Sequence, residues 1–132
     1  MRSFFAAVIG VIICAATIYP LEMLGMKLFP MKVKIDPHNI TQLRNMMHLF
    51  PTPALIFIIL SHFMGMIFGA FAASRIQPKT TTPLLLIFLL VLIVNISKLA
   101  SISHPVWFMV ADIAAITISG FLSWRYFYNG KL

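Results

Sequence analysis

Four long apolar runs, separated by shorter polar stretches, dominate the 132-residue chain. They cover about residues 4–26, 53–75, 82–101 and 105–126, and they lack the alternation of apolar and polar positions that marks the strands of an outer-membrane barrel. A helix needs roughly 20 residues to cross ~30 Å of hydrocarbon. The pattern therefore predicts an all-α membrane protein, a four-transmembrane-helix bundle that forms a single integral membrane domain over residues 1–132.

The long connection at residues 27–52 has a different pattern. Apolar side chains recur at helical spacing over residues 40–50, with polar side chains on the opposite face. Asp36 or Asn39 is suited to cap the start of such a helix. We expect a short amphipathic helix that lies in the membrane interface. A helix that simply covers the end of the bundle is an open alternative.

Composition and charge narrow the class of protein further. Hydrophobic residues make up 61% of the chain and charged residues 10%, whereas soluble domains are near half apolar and a quarter charged. A soluble enzyme, a Rossmann domain and a zinc finger are therefore excluded. The formal net charge of +7 would suggest nucleic acid in a soluble protein. Here the basic residues flank the apolar runs, where they reach the lipid headgroups. We expect the lipid bilayer, and not nucleic acid, to be the partner.

The distribution of lysine and arginine predicts the orientation in the membrane. Four spans place both termini on one side, which carries five basic residues and no acid, against four basic residues and Asp36 on the other side. The terminal side has Arg2, Arg75, Lys79, Arg125 and Lys131, and the other side has Lys27, Lys32, Lys34 and Arg44. Because the more basic side is normally cytoplasmic, we expect both termini in the cytoplasm.

Small residues recur every fourth position in two of the spans, which predicts close helix packing. The second span has Ser61, Gly65, Gly69 and Ala73, and the fourth has Ala111, Ala115 and Ser119, followed by Ser123. We expect these two stripes to pack the second and fourth helices together. The alternative is that they form the interface of a homo-oligomer or of a larger membrane complex.

A few polar residues lie within the apolar runs, where ionisable groups are costly and mark either helix pairing or a transport path. Glu22, His62, Lys98 and Asp112 all fall in the half of the membrane on the side of the long connection, and Asn95 shares the face of Lys98. We expect Lys98 and Asp112 to form an ion pair between adjacent antiparallel helices, with Glu22 as the competing partner of Lys98. The cluster either ties helices together or serves as a proton or ion site.

No pattern in the chain indicates catalytic, cofactor-binding or metal-binding residues. Cys14 has no cysteine partner, and no cysteine and histidine have the spacing of zinc ligands. Methionines could bind Cu(I), but only Met23 and Met26 have a suitable Met-x-x-Met spacing, and methionine commonly fills apolar gaps. We therefore expect no cofactor and no enzymatic activity.

Three short stretches resemble a widespread group of small bacterial inner-membrane proteins with four predicted spans and no assigned activity. The first, at residues 19–30, has an acid, a glycine and a Leu-Phe-Pro exit at the end of the first helix. The others are the small-residue segment at 65–75, which closes on arginine, and the His-Pro-Val-Trp-Phe opening at 104–108. The resemblance implies a bacterial inner membrane and the four-span architecture, and it implies no reaction.

Three functions follow as hypotheses, in this order. The first is a non-enzymatic accessory, scaffold or stress-related component of the membrane. The alternative is a small oligomeric transporter or channel that uses Glu22, Lys98 and Asp112. A membrane enzyme comes third.

Overall fold

A computed structural model describes residues 1–34, 36 and 38–129, and this part of the chain is helical and contains no strand. The predicted all-α class is confirmed. Lys131, which entered the prediction of orientation, lies outside the described residues. The helices are α1 (Arg2–Leu28), α2 (Ile40–Met46), α3 (Thr52–Ile76), α4 (Thr82–Ser101) and α5 (Val106–Ser123). A 3-10 turn (Met47–Leu49) follows α2, and a π-helical turn (Trp124–Tyr128) extends α5. As predicted, four helices, α1, α3, α4 and α5 with its extension, are long and apolar enough to cross a membrane.

Prolines and one asparagine define where the helices begin. Pro53 and Pro83 lie in the first turns of α3 and α4, where a missing N–H costs no hydrogen bond. Asn39 caps α2, because its side-chain oxygen accepts a hydrogen bond from the Gln42 N–H at 3.0 Å. The α-helix ends at Met46, earlier than the predicted residue 50. The residue before Pro51 takes an extended conformation, which stops the helix from continuing.

Contacts between the long helices give their directions. Gly10 faces Gly69, whereas Glu22 faces His62, so α1 and α3 run antiparallel. Asn95 contacts Asp112 and Gly120 faces Phe88, so α4 and α5 also run antiparallel. We call the half of the bundle next to the long connection and the α4–α5 turn the loop half, and the opposite half the terminal half. The helix ends in the loop half are Leu28, Thr52, Ser101 and Val106.

Small side chains bring α1 and α3 into contact in the terminal half. A Cβ atom at Gly69 would lie 2.6 Å from the carbonyl oxygen of Gly10, and one at Gly65 would meet Ile18. The predicted partner of the α3 stripe is therefore wrong: its glycines face α1 and not α5. Glycine on both helices allows the two backbones to touch. The buried core here consists of Ala6, Ala7, Met66, Ala70, Ala73, Leu84 and Ile87.

The α5 stripe lies at the edge of the buried face of its helix. Ala111 and Ala115 are only partly buried, whereas Ser119 is fully buried and donates its hydroxyl to the carbonyl of Ile116. Helices α3 and α5 still pack together, since His62 contacts Asp112, and Phe71 of α3 packs on Phe127 of the π-helical turn. Spacing alone identified the small residues without giving the direction in which each face points.

Candidate functional site

Each of the four long helices supplies one polar side chain to the interior of the loop half. Glu22, Asn95 and Asp112 each lie six residues from the loop-half end of their helix, which is about 9 Å at ~1.5 Å per residue. His62 lies ten residues from its helix end, about 15 Å by the same rise. The helices therefore bring four of the five predicted cluster residues into one layer.

Asp112 is the most deeply buried member of this layer, with a side chain that is 0% exposed. Its Oδ1 lies 2.7 Å from His62 Nδ1, and its Oδ2 accepts a hydrogen bond from Asn95 Nδ2 at 2.8 Å. Hydrogen bonds to a carboxylate are short and strong. Both oxygens of Asp112 have a partner, as a buried carboxyl group requires.

His62 connects Asp112 to a second carboxylate. Its Nε2 lies 3.4 Å from Glu22 Oε1, which is longer than an ordinary N–H···O hydrogen bond. The Glu22 side chain is 21% exposed and that of His62 only 7%. One imidazole thus lies between two carboxyl groups, with the exposed one held more loosely. We call the hydrogen-bonded and ion-paired set of Glu22, His62, Asp112 and Asn95 the polar network.

Lys98 does not take the predicted position. Neither Asp112 nor Glu22 forms an ion pair with it: the two Asp112 oxygens contact His62 and Asn95, and Glu22 Oε1 lies beside His62. The predicted Lys98–Asp112 pair is therefore wrong. Lys98 lies one turn closer to the end of α4 than Asn95 and is exposed. An exposed lysine avoids the cost of burying its charge.

A cavity of about 890 Å³ lies against the polar network in the loop half. All five predicted cluster residues line it, together with Phe29, Met47 and Phe108 and other apolar side chains from the long connection and the helix ends. A mainly apolar cavity of ~300–1,000 Å³ with a few polar groups is typical of a small-molecule site. The polar network therefore forms part of the cavity wall, and Glu22 is its most exposed ionisable group.

Two residues near the cavity were absent from the predicted cluster. His104 lines the cavity, stacks on Phe108 at 5.0 Å, and donates its Nδ1–H to the carbonyl of Ile102 at 2.9 Å. Burial lowers the pKa of His104 below its ordinary value. The His-Pro-Val-Trp-Phe stretch was recognised in the sequence, but only for its resemblance.

Arg44 is the second of these residues. Its Nε–H donates to the carbonyl of Ser101 at 3.2 Å and so attaches α2 to the end of α4. The two residues are 57 positions apart, and nothing in the local pattern predicts their contact.

Comparison with known protein families, curated proteins and solved structures gives no match to this chain. Among the described residues, no group of three or more His, Cys, Asp and Glu side chains is arranged to hold a metal ion. The chemistry of the site therefore rests on its own geometry: a series of three acid–base groups beside an apolar cavity.

Proposed function

We propose that the protein is a small membrane transporter in which the polar network takes up and releases protons while the cavity holds a small molecule. The observation that carries this proposal is the position of Glu22, His62 and Asp112 on the wall of the 890 Å³ cavity. A network that served only to tie helices together has no need of a cavity beside it. An acid–base series in contact with a ligand site is what coupling of proton and ligand requires.

The order of burial suggests the path of the proton. Glu22 is 21% exposed and Asp112 is 0% exposed, with His62 between them. An imidazole accepts a proton on one nitrogen and releases one from the other. A proton from the cavity therefore reaches Glu22 first, passes to His62, and from there to Asp112. A ligand that contacts Glu22 changes the charge of the network and so changes its proton affinity.

The proposed placement in the membrane gives the side from which a proton enters the cavity. With both termini in the cytoplasm of a bacterial cell, the loop half faces the outside and α2 lies in the outer interface. The cavity is then open toward the outer side, while the core between α1, α3 and α4 is closed in the terminal half. Transport requires a second state in which the terminal half opens.

The accessory or scaffold function stays a prediction of the sequence. A buried hydrogen-bonded network is compatible with that function, but the cavity favours the transporter. The sequence assigned Lys98 to the transport site. In this proposal Lys98 lines the cavity but takes no part in the proton path, because it does not belong to the polar network.

Proton movement tests the proposal directly. The full chain is reconstituted into liposomes that contain a pH-sensitive dye, and a potassium gradient with valinomycin sets a membrane potential. We expect proton uptake above that of protein-free liposomes. His62→Gln keeps a hydrogen-bonding side chain but removes the titrating imidazole, and we expect it to reduce the protein-dependent rate by about 100-fold or more, the range of a lost acid–base group.

His48→Gln is the matched control, because His48 is an exposed histidine in the 3-10 turn after α2. We expect it to retain the wild-type rate. Proton uptake no faster than in protein-free liposomes would contradict the proposal, as would a His62→Gln rate equal to that of His48→Gln.

A further inference from the structure

We propose that the cavity binds an anionic amphiphile, such as an acidic phospholipid, which enters sideways from the bilayer between α1 and α4 and places its acidic group on Lys98. This inference rests on the proposed function in so far as it names the ligand class of the same cavity. Three observations carry it: where the cavity opens, what lines its interior, and which charges have no partner.

The cavity opens on the side of the bundle, between α1 and α4. In the terminal half these helices are in contact, and Gly10 faces Ile87. Further along α4, Ile93 and Val94 line the cavity and yet are 60% and 48% exposed. The two helices therefore separate toward the loop half. In a membrane this opening faces hydrocarbon, so an apolar chain can enter without crossing water.

The interior of the cavity suits such a chain. Phe29, Met47, Phe50, Ile58 and Phe108 contribute apolar surface from α3, α5 and the long connection. Methionine and aromatic side chains adapt to flexible apolar ligands. The polar network occupies only one part of the wall, and its carboxylates face His62.

Charge decides which headgroup fits. Lys34 and Lys98 line the cavity and are exposed, and neither has an acidic side chain within ion-pair distance among the described residues. An incoming phosphate or carboxylate finds these ammonium groups without a partner. An incoming cation instead has to compete with His62 for Glu22.

The depth of Lys98 agrees with this assignment. It lies three residues from the end of α4, about 4.5 Å at ~1.5 Å per residue, close to the level of lipid headgroups. Asn95 and the rest of the polar network lie deeper. An amphiphile with its acidic group at Lys98 therefore places its chain in the apolar part of the cavity.

Native mass spectrometry of the purified full-length protein in detergent tests the ligand class. The probes are phosphatidylglycerol, phosphatidylcholine with the same chains, dodecanoate, and dodecyltrimethylammonium. We expect the two anionic probes to bind more tightly than phosphatidylcholine or the cation. Lys98→Gln should weaken phosphatidylglycerol binding about fivefold, the effect of one lysine on an anionic lipid. Dodecanoate binding without phosphatidylglycerol binding would assign the site to free acids instead of phospholipids.

Two matched pairs of variants separate specific binding from a general loss of charge or fold. Lys32→Gln removes an exposed lysine that does not line the cavity, and we expect it to bind as wild type does. Ile93→Trp should block the opening and weaken binding, whereas Leu86→Trp, two turns away on an exposed part of α4, should not.

Equal affinity for phosphatidylglycerol and phosphatidylcholine, or preference for dodecyltrimethylammonium, would overturn the inference. An identical effect of Lys98→Gln and Lys32→Gln would do the same. The two proposals fail separately. Proton uptake by a protein that does not select anionic amphiphiles leaves the transporter and rejects this ligand. Selective binding without proton uptake leaves the ligand site and rejects the transporter.

Discussion

The terminal and loop halves of the bundle use the same helices in different ways. Helix α1 lies against α3 in both halves, since Gly10 faces Gly69 in one and Gly25 faces Phe57 in the other. Helix α4 is what differs. It packs on α1 in the terminal half and leaves it in the loop half, where the cavity opens. One helix that diverges from a continuous pair therefore opens a cavity beside an acid–base network whose deepest member, Asp112, stays buried.

The difference between the halves is not one of perfect packing against loose packing. A second cavity of about 280 Å³ lies between α4 and α5 in the terminal half, lined by residues such as Leu84, Phe88 and Trp124. No charged residue lines it. The halves differ in chemistry as well as in volume, because only the loop-half cavity contacts ionisable side chains.

The largest expected effect on stability comes from a larger side chain in the terminal half. Gly69→Leu forces a side chain against the Gly10 backbone, since even a Cβ atom there would lie 2.6 Å from the Gly10 oxygen. We expect a loss of about 3 kcal/mol in the free energy of unfolding, the upper part of the usual range for overpacking. Unfolding in mixed micelles of a mild detergent and dodecyl sulfate, followed by circular dichroism, measures it.

Val94→Phe is the comparable change in the loop half. Val94 lines the cavity and is 48% exposed, so a larger side chain can extend into open space, and we expect a loss below about 1 kcal/mol. Equal losses for the two variants would mean that the halves do not differ in packing as described.

A double-mutant cycle should give a smaller effect inside the polar network. We expect His62→Ala and Asp112→Ala to be coupled by about 1 kcal/mol, since interhelical hydrogen bonds in membranes average ~0.6 and reach ~1.7 kcal/mol. Lys98→Ala and Asp112→Ala should add within about 0.3 kcal/mol, because no contact joins these side chains. The same unfolding assay measures both cycles. Strong coupling of Lys98 and absence of coupling of His62 would reverse the assignment of the partner of Asp112.

The smallest effect on the fold is expected from a cysteine substitution that tests whether water reaches the loop-half cavity. Cys14 is buried at 2% exposure against Gly69, whereas Ser97 is exposed and lines the loop-half cavity. We expect Ser97→Cys to react with a water-soluble maleimide at its introduced thiol while native Cys14 stays unlabelled, because the reaction needs a solvated thiolate. Labelling is measured by the mass of the intact protein.

Leu86→Cys is the control for Ser97→Cys. It places an exposed thiol on α4 away from the cavity, in a stretch that the proposed membrane placement surrounds with hydrocarbon, and we expect no label there. Labelling of Cys14 as fast as of Ser97→Cys would show that water reaches the α1–α3 contact.

Much of the architecture is predictable from the sequence because it depends on local quantities. Hydropathy and length give the long helices, and proline positions give their first turns. The depth of each polar residue follows from its distance to a helix end, which is why Glu22, Asn95 and Asp112 were expected in one half. Asn39 was one of two possible caps, and a single side-chain hydrogen bond selects it.

The rotation of each helix about its axis depends on the neighbouring helices and not on local sequence. Both wrong predictions concern this rotation. The glycine stripe was assigned to α5, but the glycine at position 10 lets α1 come closest to α3. Asp112 was assigned to Lys98, but the rotation of α3 and α4 places His62 and Asn95 on its two oxygens instead.

Hydropathy and spacing along the chain were sufficient to predict the long apolar helices and to place Glu22, His62 and Asp112 in one half of the bundle. Both results follow from one-dimensional spacing and from the cost of placing charge in hydrocarbon. Three features emerge only when the helices are packed: Asp112 contacts His62, α4 separates from α1, and the resulting cavity lies against the network. Those outcomes depend on which faces meet, and a packed interface chooses its faces by shape across the whole bundle.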